Sequence, residues 1–330
     1  MKTNNTLKAL FARQSGVTIV ELMVALAIGS FLMIGAIQVY NQSRQAYVIN
    51  DSIARVQETA QFAMDTVEAD LRMASNWGQN SRGNSIDGRS LVGDANPLVL
   101  NTPIACGVNW ALNLGRPLEG TNNAYAMPVP CPPTGGAQPN SDVFTTRRAT
   151  VNPTALDNGR LQIQTTRIQG QLFDDGAIPA GFTAADSQTH DLMVNTYYVS
   201  PDSTLIPGVP TLRRKTLTVN GGVAIIQDQE VAPGVENLQL QFGVDIDSDR
   251  TVDRYVNPGD NILNPADVAF IPGARVITAR IWLVVRSLTR EVGLEDLRDY
   301  EPGDIDLGVQ NDEFRRLQVS KTILLRNARS

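Results

Sequence analysis

The segment GVTIVELMVALAIGSFLMIGAIQVY, residues 16–40, decides the architecture of this chain. From Val17 to Ile37 the run is apolar except for Thr18, Glu21 and Ser30. As a helix this run extends about 30 Å, the thickness of the hydrocarbon core of a bilayer. The segment therefore predicts a membrane-spanning helix with one carboxylate near its start.

Neither a secretory signal peptide nor a simple anchor explains this segment. A signal peptide has a shorter apolar centre and a small-residue cleavage site, whereas this run is longer and polar residues follow it from Gln38. An anchor gives no reason for Glu21, since a carboxylate inside a membrane costs up to about 3 kcal/mol on insertion scales. The run contains no basic residue. Glu21 therefore needs a partner from elsewhere.

The run and the leader before it resemble the class III signal of type IV prepilins. Residues 1–14 are polar and basic without any acid, and Gly16 is followed by VTIVELMVALAIGSFLMIGA. In that family a basic leader ends in glycine, and the fifth residue of the mature chain is glutamate, here Glu21. The resemblance implies that prepilin peptidase cleaves after Gly16 and methylates the new amino terminus at Val17, where many members carry Phe.

The resemblance also implies a role for Glu21 in assembly. In the family this carboxylate attracts the positively charged amino terminus of a neighbouring subunit. Such a pair in a low-dielectric environment sets the axial register of the subunits, while an unpaired Glu21 remains costly. The segment would then be both a membrane anchor and a polymerisation stalk.

A helical pattern continues beyond the membrane run. The apolar stripe consists of Ile49, Ile53, Val56, Ala60, Ala63, Val67 and Leu71. No proline occurs between Val17 and Asn96, so one helix is predicted from about 17 to 74, with Asp65 and Asp70 off the stripe. A freestanding coiled coil is the alternative, but the short, alanine-rich stripe favours packing on a sheet.

The rest of the chain predicts a β-rich head. Residues 75–160 are rich in Gly, Pro, Asn and Ser and indicate a loop-rich insertion with a few short strands. Strands are predicted at 160–168, 192–199, 212–219, 223–227, 275–290 and 314–329. In NLQLQFGVD, 237–245, apolar and polar residues alternate, which predicts a half-buried strand.

Three C-terminal segments resemble those of PilW-like minor pilins: LQLQFGVDIDSDRTVDRY, WLVVRS and ILLRNAR. Residues 75–190 show no such resemblance. The implied fold is α+β, the type IV pilin fold, with a long N-terminal helix packed on a C-terminal antiparallel sheet. Its parts are a leader (1–16), a membrane and polymerisation half-helix (17–40), an amphipathic half-helix (41–74) and a periplasmic head (75–330).

The chain has two cysteines, Cys106 and Cys131, in a segment rich in Pro, Gly and Asn. In an oxidising periplasm they are expected to form one disulfide, which would stabilise the loop by roughly 3 kcal/mol in the chain-entropy model. The alternative is two unlinked buried thiols. A zinc site is disfavoured, because His190 is the only histidine and no CxxC pair occurs.

The segment DIDSDRTVDRY contains the clearest candidate for a metal site. Its carboxylates could bind Ca²⁺ as the first half of an EF-hand loop does. However, Arg250 replaces the turn glycine, and Val256 stands where a bidentate Glu is required. A solvated acidic turn paired with arginines is the alternative, so no cofactor is expected beyond this weak calcium site. The candidate ligands are Asp245, Asp247, Asp249 and Asp253.

No enzyme signature stands out. His190 lacks a GxSxG elbow or a marked nucleophile, and a hydrogen-bonded histidine is the expected role. No phosphate-binding glycine loop occurs. The triplet Arg213, Arg214 and Lys215 is expected to be a solvated strand edge. The net charge is −6, and removal of residues 1–16 would leave −9, which argues against strong nucleic-acid binding.

The resemblance implies a non-enzymatic minor pilin that takes part in priming type IV pilus assembly. The implied partners are prepilin peptidase, other minor pilins, the major pilin, the inner-membrane assembly platform and the lipid bilayer. It would lie in a bacterial inner membrane with its head in the periplasm, and in the pilus fibre or tip after assembly. The alternatives are a minor pseudopilin of a type II secretion system, or a pilus-borne adhesin or DNA-uptake subunit.

Overall fold

The structure, a computed structural model, describes residues 16–90, 98, 110–126 and 132–329. The chain divides into two units, one up to Asp51 and one from Ser52 onward. Helix α1, Ile19–Met73, runs through this boundary and matches the predicted helix closely. It ends where Ser75 adopts a φ of 67°, in the left-handed region that commonly terminates helices.

The second unit is rich in β-structure, which confirms the α+β class. Two short 3₁₀ turns, Gly83–Ser85 and Asn261–Leu263, lie between strands, and a third, Arg326–Arg329, follows the last one. The strands are β1 (Ile86–Asp87), β2 (Leu118–Thr121), β3 (Val143–Ala149), β4 (Gln162–Thr165), β5 (Gly170–Phe173), β6 (Gln188–Ser200), β7 (Thr211–Asn220), β8 (Val223–Pro233), β9 (Val235–Asp245), β10 (Arg254–Val256), β11 (Arg275–Arg286), β12 (Asp299–Tyr300), β13 (Gly308–Val309) and β14 (Arg316–Leu324).

The strands form two main sheets rather than one. Strands β1–β8 make an eight-stranded sheet, β10-β9-β11-β14 make a four-stranded sheet, and β12 pairs with β13. Every pairing is antiparallel except β1 with β5. Strand β3, which lies in the segment predicted to be loop-rich, pairs with both β2 and β6. That segment therefore contributes an internal strand to the larger sheet.

Strand β9 is buried on both faces, so the prediction of a half-buried strand was wrong. Asn237 and Gln239 on its polar face are only 2% and 1% exposed. The segment around Asn140 covers them: its carbonyl accepts from Asn237 Nδ2 at 2.7 Å and from Gln239 Nε2 at 2.9 Å. The alternation of apolar and polar residues therefore marks an apolar core on one side and a hydrogen-bonded polar layer on the other.

The second part of α1 packs on the sheets. Its buried apolar residues join one core with Phe144 and Tyr197 of the larger sheet and Phe242 and Ile281 of the smaller one. This confirms packing rather than a freestanding coiled coil, and the alanines allow close approach of the helix backbone. A second core, around Trp77, lies apart from this one. The buried apolar helix residues are Val56, Ala60, Ala63, Met64, Val67 and Leu71.

A buried polar network fixes the helix on the larger sheet. Asp70, only 4% exposed, accepts from the Arg148 guanidinium at 2.8 and 3.1 Å through Oδ1. Its Oδ2 accepts from Asn195 Nδ2 at 2.6 Å and from the Tyr197 hydroxyl at 2.5 Å. The sequence pattern had placed Asp70 off the buried stripe, but it lies three residues after Val67, at the edge of the contact face. Four donors satisfy this carboxylate.

A second ion pair links the helix to the smaller sheet. Glu68, 7% exposed, pairs with Lys321 of β14 and with Arg72 one turn further along the helix. The helix is thus held to each sheet by a carboxylate as well as by apolar contact.

Replacing Asp70 with alanine should destabilise the head strongly. Arg148, which is partly buried, would lose its anion. Breaking such a pair lowers the free energy of unfolding by about 3–5 kcal/mol. Urea unfolding of the full chain in detergent micelles, followed by tryptophan fluorescence, measures the loss. Asp65→Ala is the matched control, because Asp65 is exposed on the same helix and the change should stay within about 0.5 kcal/mol. Equal effects of the two changes would contradict the anchoring role of Asp70.

Candidate functional site

The start of α1 is a capping box built by Thr18 and Glu21. Thr18 precedes the first helical residue, and its Oγ1 accepts from the Glu21 backbone N–H at 3.3 Å. In return the Glu21 Oε2 accepts from the Thr18 N–H and from its hydroxyl, both at 2.9 Å. This reciprocal arrangement satisfies free donors at a helix N-terminus, and the carboxylate lies at the positive end of the helix dipole.

No cation of its own unit neutralises Glu21 among residues 16–51. The basic residue in that range is Arg44, more than six helical turns further along α1. Within residues 16–51 the carboxylate therefore has hydrogen-bond donors but no counter-charge. This geometry can accept a positively charged group from outside.

Gly16 and Val17 lie ahead of the helix and have no regular secondary structure. A Cβ built at Gly16 meets nothing within 4 Å, and Gly16 is not among the residues with positive φ. Val17 is 73% exposed. Among the described residues, therefore, no neighbour would obstruct a side chain at position 16.

The first part of α1 presents an uncovered apolar surface. By length and composition it can cross a membrane. An 18-residue stretch of it has a mean hydropathy of 2.2, and no part of that stretch is buried within the structure. Ile19 and Phe31 are 78% and 77% exposed. Gly29 and Gly35 also have open space around a built Cβ, although each costs a helix about 1 kcal/mol relative to Ala. This surface is suited to lipid or to the helices of other subunits.

The acidic loop between β9 and β10 brings three of the four predicted calcium ligands together. Carboxylate oxygens of Asp245, Asp247 and Asp253 lie within 4.8 Å of one another. Asp249 is not part of this group and instead accepts from the Thr251 N–H at 2.7 Å and its hydroxyl at 2.6 Å. These bonds hold the pKa of Asp249 below its usual value.

The same carboxylates also stabilise the loop backbone. Asp245 accepts from the N–H groups of Ser248 at 2.7 Å and Arg250 at 3.0 Å, and both of these residues have positive φ. Asp253 accepts from the Ile246 N–H at 2.6 Å. The acidic residues are therefore explained as turn acceptors without an ion, and calcium binding by this loop stays a prediction.

The predicted disulfide lies outside the described residues, since neither Cys106 nor Cys131 is among them.

His190 is 1% exposed, and its Nδ1 contacts the Thr150 carbonyl at 2.9 Å, so Nδ1 carries the proton. Its Nε2 lies 3.4 Å from Gln188 Oε1. The histidine is thus a hydrogen-bonded structural residue, as expected, rather than one that faces a nucleophile.

The basic triplet of β7 is not a solvated strand edge, and that prediction was wrong. Arg213 and Lys215 are 3% and 4% exposed, because β7 pairs with both β6 and β8. Asp228 accepts from Arg213 Nε and from Lys215 Nζ, each at 2.8 Å. Burial disfavours the charge of Asp228, yet the bonds from Lys215, Tyr198 and Arg213 hold its pKa below the usual value. These cations are therefore neutralised internally.

A second carboxylate cluster, around Asp142 and Asp304, was not predicted from the sequence. Asp142 is fully buried and accepts from the Asn123 N–H at 2.8 Å and the Leu240 N–H at 2.7 Å. Burial raises its pKa to about 7, and the charge of Asp304 adds to that rise. The available sequence signal was weak: an Asn-rich turn at 122–123 and isolated acids far apart in the chain.

Two family models match the chain. The model described as Type IV Pilus-assembly protein W, PilW, matches residues 196–327. The Prokaryotic N-terminal methylation motif matches residues 11–37. No curated protein and no solved structure matches the chain. The PilW match includes all of the four-stranded sheet, and the methylation motif includes Gly16, Val17 and Glu21.

Protonation of His190 should destabilise the head in mild acid. Burial lowers the pKa of His190 below 6.5, and the raising effects of Thr150, Asp191 and Asn152 offset this only in part. Neutral His190 therefore favours the folded state above pH 6.5, and this contribution is lost as pH falls from about 6.5 to the lower pKa of the folded state. Asp142 acts in the opposite direction, because its raised pKa of about 7 favours the folded state as pH falls. Melting of the full chain in micelles at pH 7.5 and 5.5 therefore compares the wild type with His190→Gln, which shares the Asp142 contribution. Acid should lower the melting temperature of the wild type relative to that of the variant, and equal changes would contradict the assignment.

Proposed function

The chain is a PilW-like type IV pilin, and we propose that it acts as a minor pilin that takes part in priming pilus assembly. In this proposal prepilin peptidase cleaves the peptide bond between Gly16 and Val17 and methylates the amino group of Val17. The protein lies in a bacterial inner membrane with its head in the periplasm before it enters the fibre. Its function is subunit interaction, in keeping with pilin families, which are in general structural.

The observation that carries the proposal is the combination of Gly16 and Glu21 at the start of α1. No described residue would obstruct a side chain at Gly16, so packing within the described chain does not explain the glycine. A peptidase that must reach the adjacent bond supplies a reason. The bond also precedes the helix, and both residues are exposed there.

Glu21 supports the same proposal electrostatically. Its carboxylate is exposed at the helix start, held by Thr18 and without a counter-charge within residues 16–51. Cleavage at Gly16 creates an ammonium group at Val17 on every subunit. The Glu21 of one subunit can then pair with the amino terminus of the next, and the low-dielectric surroundings strengthen this attraction. The pair sets the axial register of neighbouring stalks.

The head supports a pilus role over a role in type II secretion. The match to the pilus-assembly protein covers residues 196–327, which supply the smaller sheet and, of the larger one, β7, β8 and the end of β6. In the proposal this head contacts other minor pilins and the major pilin, while the stalk contacts the bilayer and the assembly platform. Adhesion and DNA uptake remain alternatives that no contact in the described residues favours.

Substitution of Glu21 should prevent incorporation into pili. Glu21→Ala and Glu21→Gln both remove the charge, so each is expected to lower the amount of this subunit in sheared pili at least tenfold, while the membrane-bound amount stays unchanged. Thr18→Ala is the matched control: it weakens the capping box by about 1 kcal/mol but keeps the carboxylate, and should retain most incorporation. Immunoblots of sheared and membrane fractions give the readout. Normal incorporation of Glu21→Gln would rule out the charge pairing.

Deletion of the gene tests the priming role itself. Surface pili should be lost in the deletion strain and recovered when the same deletion is made in a background that cannot retract pili, because a priming subunit shifts the balance toward assembly. Electron microscopy provides the counts. Unchanged counts in both strains would favour a secretion pseudopilin, and normal counts with lost adhesion would favour an adhesin.

A further inference from the structure

Strand β14 lies at the edge of the four-stranded sheet and, among the described strands, pairs only with β11. One backbone bond shows which of its residues face β11: the Ser287 N–H donates at 2.8 Å to the carbonyl of Arg315, the residue before β14. Antiparallel strands bond through every second residue, so the odd-numbered residues of β14 bond to β11. The even-numbered residues turn their N–H and C=O groups away from the sheet. These are, in the middle of the strand, Gln318, Ser320 and Thr322.

These outward backbone groups form an open edge from Gln318 to Thr322. Within the described part of the chain, no backbone group bonds to them. The start of the strand is closed instead, because the Arg316 carbonyl accepts from Arg298 Nη2 at 2.7 Å and lies 3.4 Å from the Tyr300 hydroxyl. The open edge therefore offers three N–H donors and three carbonyl acceptors to another strand.

This edge lacks the features by which sheet edges commonly avoid pairing. Its ladder with β11 has no register shift, and the strand contains no proline. Its charged residue beyond Arg316 is Lys321, which pairs with Glu68 of the helix. Strand β8, which pairs only with β7 among the described strands, differs: its ladder has a register shift, it ends at Pro233, and it carries Asp228. The edge of β14 is thus the one better suited to pairing.

A groove of about 420 Å³ lies between this edge and helix α1, and we call it the helix groove. Ala60 and Met64 of the helix line it, together with Leu317, Val319 and Lys321 of β14. The ammonium group of Lys321 is already in the ion pair with the helix. The helix groove is therefore suited to apolar side chains.

A second groove, of about 710 Å³, borders the same stretch of β14 and is walled by β12 and its neighbours, so we call it the β12 groove. Arg298 and Glu301 line it with Gln318 and Ser320. Gln318 and Val319 point to opposite faces of the sheet, and the Gln318 amide donates to the Glu301 carbonyl at 3.4 Å. The β12 groove is therefore polar, and the two grooves flank one stretch of open edge.

We propose that the open edge of β14 accepts an extended strand of a partner protein, which adds to the four-stranded sheet. Backbone bonds to Gln318, Ser320 and Thr322 hold the added strand. The side chains of an extended strand alternate between its two faces, so one set enters the helix groove and the other enters the β12 groove. The partner strand accordingly alternates apolar residues, for the helix groove, with polar residues, for the β12 groove.

A second copy of this chain fits the edge poorly. The second part of α1 lies on the face of the sheets, so antiparallel pairing of two β14 edges about a two-fold axis turns the two helices in opposite directions. The stalks of subunits anchored in one membrane point the same way, a step that rests on the proposed function. The occupant is therefore a strand from the head of a different pilus subunit.

Binding of a synthetic strand tests the proposal. The probe is a short fluorescent peptide in which valine alternates with threonine and glutamine, and its fluorescence anisotropy is measured with the full chain in detergent micelles. Ser320→Pro removes an outward N–H but no bond to β11, so it should weaken binding at least tenfold. Ser320→Ala keeps the N–H, is the matched control and should bind as the wild type does.

A second pair of variants guards against misfolding as an explanation. Thr322→Pro and Thr322→Ala repeat the comparison at the next outward residue, and thermal melting shows that each variant is folded. A peptide of the same composition with its valines grouped together should bind at least tenfold more weakly. The proposal is overturned if the wild type does not bind the alternating peptide up to millimolar concentration, if both proline variants bind it as the wild type does, or if the two peptides bind equally.

Incorporation into sheared pili separates this inference from the proposed function. Ser320→Pro should lower incorporation at least tenfold, and Ser320→Ala should leave it unchanged. Normal incorporation of Ser320→Pro beside failed incorporation of Glu21→Gln would overturn the strand addition and leave the proposed function in place. Peptide binding beside unchanged pilus counts in the deletion strain would support the open edge and contradict the priming role. Sedimentation tests the second copy: a wild-type dimer that Ser320→Pro abolishes would overturn the assignment to a different subunit.

Discussion

The fold of the head depends on burying the Ala60, Ala63 and Val67 face of α1 against two sheets at once. Small side chains on this face let the helix backbone approach both sheets, and the same core includes Phe144 of the larger sheet and Phe242 of the smaller one. Apolar residues of both sheets share one core with the helix. Removing the helix would expose that core, so the sheets and the helix stabilise one another.

Buried charge gives this packing its register. Apolar contact alone tolerates sliding of a helix along a sheet, whereas Asp70 meets Arg148, Asn195 and Tyr197 in a single position. Arg147 of β3 likewise makes buried polar contacts that fix one arrangement. It is fully buried, donates to the carbonyls of Trp110 and Arg116, and pairs with Glu119. Such groups are costly when unpaired, so alternative packings are disfavoured.

The two ends of α1 use carboxylates differently. Asp70 has four donors from its own chain, whereas Glu21 has only the Thr18 donors and no counter-charge within residues 16–51. A carboxylate whose hydrogen-bond donors and counter-charge come from its own chain stabilises the fold. A carboxylate without a counter-charge from its own chain can pair with a cation of a partner. Asp228, which is paired with Arg213 and Lys215, also belongs to the internally paired group.

The sequence by itself determined the long helix, its buried stripe, most strands of the head and the prepilin signal, because hydrophobic periodicity and spacing are local properties. The roles predicted for Gly16, Val17 and Glu21 came from their resemblance to the prepilin signal. The sequence misjudged the polar face of β9, the basic triplet of β7 and the burial of Asp70, because whether a polar residue meets water or a distant partner depends on what covers it. Tertiary structure alone brought Asn122, Asn257 and Asp304 together, since their contacts join residues up to 182 positions apart and leave no local pattern.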